Sequence, residues 1–77
     1  MTIETLEKAY RANPFRPFSF RLADGRSLPV RHPEFIAFNP KGRIAIVLDE
    51  NDGAEYVDLL LVVSLSFEGS EAAAESR

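Results

Sequence analysis

Alternating polarity is the feature that most constrains this chain. Six short strand-like stretches follow one short helical pattern, separated by turn residues and all within the first 68 residues. Phe18, Phe20 and Leu22 point one way and Ser19 and Arg21 the other, the period-two mark of a strand with one buried face. Ala23-Asp24-Gly25-Arg26 follows, and Asp-Gly between alternating runs predicts a hairpin. Leu28 and Val30 continue the apolar side, while Pro29 between them demands an edge, a bend or a bulge, because proline cannot donate to a ladder. His32-Pro33-Glu34-Phe35 reads as a corner, and a short strand resumes over 35–38. Residues 44–48 form the most apolar stretch, expected to be central with Ile44, Ile46 and Leu48 inward and Ala45 and Val47 outward. An acidic turn at 49–53 leads to a strand over 54–58. Residues 59–62 either continue that strand or make a tight helical turn, after which Val63, Leu65 and Phe67 close the set with Ser64 and Ser66 facing out.

Residues 2–12 carry the helical pattern. Thr2 is the expected N-cap and Glu4 sits where the helix dipole favours an anion. Ile3, Leu6 and Tyr10 share a face, with Ala9 beside them, and Asn13-Pro14 ends the helix. So short a helix is not stable alone in water, so its apolar stripe must pack on the strands. These parities predict a core of Leu6, Tyr10, Phe18, Phe20, Leu22, Leu28, Val30, Ile44, Ile46, Leu48, Val57, Leu59, Val63 and Leu65.

With 77 residues the chain supports one domain. A domain of this size buries only about 60% of its unfolded surface, and small domains usually add a staple or a partner. Without cysteine there is no disulfide and no thiolate metal site, and a single histidine argues against an all-protein zinc site. Self-association is the remaining supplement. The N-terminal residues lack a basic stretch followed by an apolar run, so no signal peptide is expected. No apolar run approaches the roughly 20 residues that span a bilayer. The expected setting is therefore cytoplasmic, with no membrane partner. Residues 1–68 are expected to form one helix-plus-barrel domain and residues 69–77, which are small, polar and acidic, a disordered tail.

The expected fold is mainly β with one N-terminal helix, a small bent antiparallel barrel or open barrel of five to six strands. A short helix followed by a twisted meander resembles the Sm-like arrangement, a barrel of the SH3 type. The resemblance covers residues 2–67. It rests on the helix, on Phe18-Ser19-Phe20-Arg21-Leu22-Ala23-Asp24-Gly25, on a bent span over 26–40, and on an ending over 56–67 with a tight turn at 59–62. It implies last strands that pair edge to edge between subunits and build rings. The chain is also similar, and more closely, to a group of small uncharacterised bacterial proteins. Their shared pattern appears here as Leu22-Ala23-Asp24-Gly25-Arg26, His32 with Glu34-Phe35, and Asp58-Leu59-Leu60-Leu61-Val62. That similarity implies no known activity.

Charge is split along the chain. The net charge is −3, yet residues 8–43 carry +6 and residues 44–77 carry −7. Such a split fits pairing between strands, a self-complementary interface or a nucleic-acid face. Arg21, Arg31, His32, Lys41 and Arg43 are the candidate binding residues, with Arg21 and Arg31 expected on one face and Asp58 or Glu55 as partners. His32 and Glu34 lack the third group that acid–base or metal chemistry needs. The 49–53 loop lacks calcium-ligand spacing. No catalytic residue, metal or cofactor is therefore assigned, and no enzymatic activity is expected. Residues 59–63 are apolar on both parities, so one side must face the helix or a second subunit. Tyr56, Asp58, Leu60 and Val62 are the candidate self-association residues. The expected function is a non-catalytic oligomerising or protein-interaction module, associating with itself as a dimer or ring, or with another protein. Sm-like RNA or DNA binding is the alternative. It ranks lower because single-stranded sites need stacking aromatics in a basic setting, and the phenylalanines hold core parities while the 49–53 loop is acidic.

Overall fold

A computed structural model describes residues 1–67. The predicted tail over 69–77 lies outside the described residues. The elements run α1 (Ile3–Tyr10), β1 (Phe18–Leu22), β2 (Ser27–Val30), a 3-10 turn (Pro33–Phe35), β3 (Ile36–Phe38), β4 (Ile44–Leu48), β5 (Ala54–Asp58), a second 3-10 turn (Leu59–Leu61) and β6 (Val62–Phe67). Two three-stranded antiparallel sheets result, ordered β2-β1-β6 and β3-β4-β5. They do not join into a closed barrel among the described residues, so of the closed and open forms that the sequence allows, the closed one is not found. The mainly β character and the single N-terminal helix agree with expectation.

The helix begins where its cap predicts. Thr2 Oγ1 accepts a hydrogen bond from the Thr5 N–H at 3.3 Å, and Leu6 and Ala9 are buried. Tyr10 meets Phe38 edge to face at 5.2 Å, while the Met1 nitrogen donates to the Leu59 and Val62 carbonyls at 3.2 Å each. The helix is thus tied to both sheets. Gly25 turns the β1–β2 hairpin with φ +94°, in the left-handed region where a Cβ would be strained. Pro29 lies on β2, an edge strand, where its missing N–H costs no ladder bond. The loop at 49–53 closes β4 onto β5. The Asp49 N–H donates to the Gly53 carbonyl at 3.0 Å, and Asp49 Oδ1 accepts from the Asn51 and Gly53 N–H groups at 2.8 Å each.

Between the sheets sits one core. Phe18, Phe20, Leu22 and Val30 enter it from the first sheet, Ile36, Ala45, Val47 and Val57 from the second. Full burial of an aromatic ring such as Phe18 or Phe20 stabilises by roughly 1.5–3 kcal/mol. The parity of β4 is the reverse of that expected: Ala45 and Val47 are inside, whereas Ile44 and Leu48 are exposed and Ile46 is half-buried. The cause is volume. Phe15, Phe18, Phe20 and Phe67 form a chain of rings with centroids 5.6–6.4 Å apart. That bulk leaves the facing strand room for an alanine and a valine, since interiors are filled to crystal-like density.

The 3-10 turn at Leu59–Leu61 corrects a second parity. Three residues per turn return the chain to the same side, so Leu59 and Val62 are buried while Leu60 and Leu61 are exposed. This turn is also the corner between sheets. The Leu59 N–H donates to the Arg43 carbonyl at 2.9 Å and the Leu61 carbonyl accepts from the Ala23 N–H at 2.8 Å. Val63 was expected inside. The β1–β6 register instead passes from Arg21↔Ser64 to Leu22↔Val62, which makes Val63 the extra residue of a bulge and leaves it 62% exposed. Tyr10, Leu28 and Leu65, also expected inside, are half-buried against the core.

Candidate interaction surface

Leu60, Leu61 and Val63 stand out at the corner, exposed by 66%, 57% and 62%. The 3-10 turn presents the first two and the bulge the third. They flank β6, whose outer edge is unpaired in the sheet order. A groove of about 510 Å³ runs beside that edge, lined by Met1, Ala9, Val63, Leu65 and Phe67, with Lys8 and Arg16 on its rim. The Arg16 guanidinium stacks 4.5 Å above the Phe67 ring.

Of the predicted self-association residues, Tyr56 and Leu60 lie on the surface, at 74% and 66% exposure. Asp58 holds the corner in shape: its Oδ1 accepts from the Leu60 N–H at 3.0 Å and pairs with Arg43 Nε at 3.1 Å. Val62 is buried, so it is part of the core and offers no surface to a partner.

The predicted basic cluster is dispersed. Arg21 lies on the outer face of β1 between Ser27 and Ser64, with no ion pair among the described residues. Arg31 follows the end of β2, opposite the other end of β1, so the two arginines are not neighbours. It instead shares a cleft of about 210 Å³ with Asp49 and Glu50. The exposed His32 rests edge-on against Phe35 at 5.5 Å. Lys41 occupies the β3–β4 turn, where its N–H donates to Asn39 Oδ1 at 2.9 Å. Arg43 is committed to Asp58. The charge split is used a second time where Arg26 pairs with Glu55 of β5 at 2.6 Å, while Asp24 of its own turn meets Arg26 at 2.9 Å. The Arg26 N–H, and then its guanidinium, holds the Asp24 carboxyl below the usual carboxylate range. Glu55 and then Asp24 raise Arg26 in turn.

Sequence reasoning missed a further surface, the outer face of β3-β4-β5. Register aligns Ala37, Ile46 and Tyr56 in one row across the three strands, with Ile44 opposite Asp58 and Leu48 opposite Ala54. The signal was present in β4, which is apolar on both parities from Ile44 to Leu48. Among the described residues no three His, Cys, Asp or Glu side chains gather as metal ligands, and no buried side-chain nitrogen or oxygen lacks a hydrogen-bond partner. No helix of the described residues is long and apolar enough to cross a membrane. No protein-family model, curated protein or solved structure matches the chain.

Proposed function

We propose that this chain is a non-catalytic self-associating or protein-interaction module, built on a bent β domain of the Sm-like, SH3 type and acting in the cytoplasm. The observation that carries this reading is the trio Leu60, Leu61 and Val63, each more than half exposed beside the outer edge of β6, which no other strand covers. Apolar side chains next to an open strand edge favour association, since pairing satisfies the backbone and covers the side chains together. The small size of the domain and its lack of cysteine add to the advantage of a partner. A second copy is the favoured partner and another protein the next. Sedimentation and light scattering at high micromolar concentration test this. An assembled wild type is expected, and Leu60→Glu should lower the assembled mass while circular dichroism stays native. A wild type that stays monomeric overturns the reading.

Sm-like RNA or DNA binding is the alternative, favoured by the exposed Arg21 and Lys41, which form no ion pair among the described residues. It ranks second because the other predicted cations face carboxylates: Arg43 pairs with Asp58, and Arg31 lies beside Asp49 and Glu50.

A further inference from the structure

The outer face of β3-β4-β5 carries large aliphatic groups in the middle of a sheet, with Ile44 and Leu48 exposed and Ile46 half-buried. Ile44, Ile46 and Leu48 alternate with the smaller buried Ala45 and Val47, and Tyr56 and Ala37 flank Ile46 on either side. The core uses the small side chains of β4 and the exterior receives the large ones, the reverse of what burial alone would select. The two ends of β4 differ in charge: Lys41 and Arg43 precede the strand, with Asp58 opposite Ile44 at that end, and Asp49, Glu50 and Asp52 follow it. Each end keeps its sign. Lys41 makes no ion pair among the described residues, Arg43 pairs with Asp58, and Asp49 and Glu50 share a cleft with Arg31.

We infer that this face binds the same face of a second copy, related by a two-fold axis that lies in the interface and runs across the strands. This inference rests on the self-association reading and adds a second surface to the Leu60, Leu61 and Val63 corner. The charge pattern selects both the partner and the axis. Rotation about an axis across the strands reverses β4 over its mate, so the Lys41–Arg43 end of one copy covers the 49–52 end of the other, twice. An axis along the strands would put like charges together. The apolar residues meet in the same operation: Ile46 lies over Ile46, Tyr56 over Tyr56, and Ile44 over Leu48 of the second copy. Two packed sheets of this kind align within about 30° and stand about 10 Å apart, and a two-fold pair is the commonest closed assembly. A nucleic acid would seek the basic end alone and be repelled by the acidic one.

The test combines three measurements on the full chain. In sedimentation, Ile46→Glu should shift the wild-type assembly at least tenfold toward smaller species with its circular dichroism unchanged. Lys41→Glu and Glu50→Lys should each weaken association, and the two together should restore it. The chain has no cysteine, so single cysteines report the axis. An Ile44→Cys chain mixed with a Leu48→Cys chain should form a 44–48 disulfide on mild oxidation, in preference to 44–44. Association that survives Ile46→Glu intact overturns the inference and leaves the self-association reading standing. Wild-type chains that stay monomeric overturn both. A 44–44 link without a 44–48 link, or additive losses in the charge pair, overturns the proposed axis.

Discussion

The outward faces of the two sheets differ in almost every residue. On β2-β1-β6 the exterior rows read Pro29, Ser19, Ser66 and then Ser27, Arg21, Ser64. On β3-β4-β5 the central row reads Ala37, Ile46, Tyr56, with Ile44 and Leu48 beside it on β4. The first sheet follows the rule for an antiparallel sheet with one wet side. The second breaks it on its central strand. Both sheets bury apolar residues on their inner faces, Phe18, Phe20, Leu22 and Val30 on one and Ile36, Ala45, Val47 and Val57 on the other, so burial in the core does not account for the difference. It teaches that β1 is amphipathic in the service of one monomer, whereas β4 carries apolar surface beyond what the monomer uses.

Substitutions on either side of a single strand separate these roles. The largest loss is expected inside the first sheet. Phe20→Ala removes a fully buried ring and should cost about 3–5 kcal/mol in urea unfolding, enough to unfold much of so small a domain. A matched pair on β4 comes next. Val47→Thr places a hydroxyl in the core and should cost about 1–3 kcal/mol. Ile46→Thr, one residue away on the outer face, should cost the monomer less than about 1 kcal/mol. Equal losses for the pair would erase the distinction between the two faces of β4. On the polar sheet, Arg21→Glu should move stability by no more than about 0.5 kcal/mol. Wild-type chain at moderate salt should show no submicromolar affinity for single-stranded homopolymers. Tight binding with a steep salt slope, abolished by Arg21→Glu, would turn that sheet into a nucleic-acid face.

The smallest effect concerns the β1–β2 turn. Asp24 has its carboxyl lowered below 3.8 by the Arg26 N–H and guanidinium. A group depressed in the folded state adds stability above its unfolded value and loses it as pH falls through the lower folded value. Acid titration of stability should therefore show a shallow loss beginning near pH 3.8 and extending below it. Asp24→Asn should flatten that slope and leave neutral stability almost unchanged, because the pair is exposed to solvent.

Sequence alone made the first sheet legible and the second only in outline. In β1 a polar residue separates each pair of apolar ones, so Phe18, Phe20 and Leu22 declare their side unambiguously. The helix cap at Thr2, the Asp24-Gly25 turn and the edge position of Pro29 follow from local chemistry and stand where expected. β4 offers no polar residue to orient it, and its side was settled by the volume of phenylalanines distant in sequence. Val62 and Val63 changed places because a 3-10 turn and a bulge replaced period two with another count. The site suffered from the same cause. Local composition points to Leu60 and Tyr56, which are exposed, while the outer face of β4 needs the register of three strands.

The loop at 49–53 has a consequence for how faithfully the chain folds. A slip of one residue in most half-buried strands exposes apolar groups and buries polar ones, so polarity polices register. β4 lacks that safeguard: a slipped pairing would exchange Ala45 and Val47 for Ile44, Ile46 and Leu48 without wetting the core. What remains to discriminate is steric bulk and the latch at the hairpin end. Asp49 clasps the Asn51 and Gly53 N–H groups, and a Cβ at Gly53 would stand 2.6 Å from Asp49 Oδ2. Fixing that one turn fixes the phase of the whole strand. The five-residue clasp thus works with the bulk of the phenylalanines to set which aliphatic residues the folded molecule shows to its surroundings.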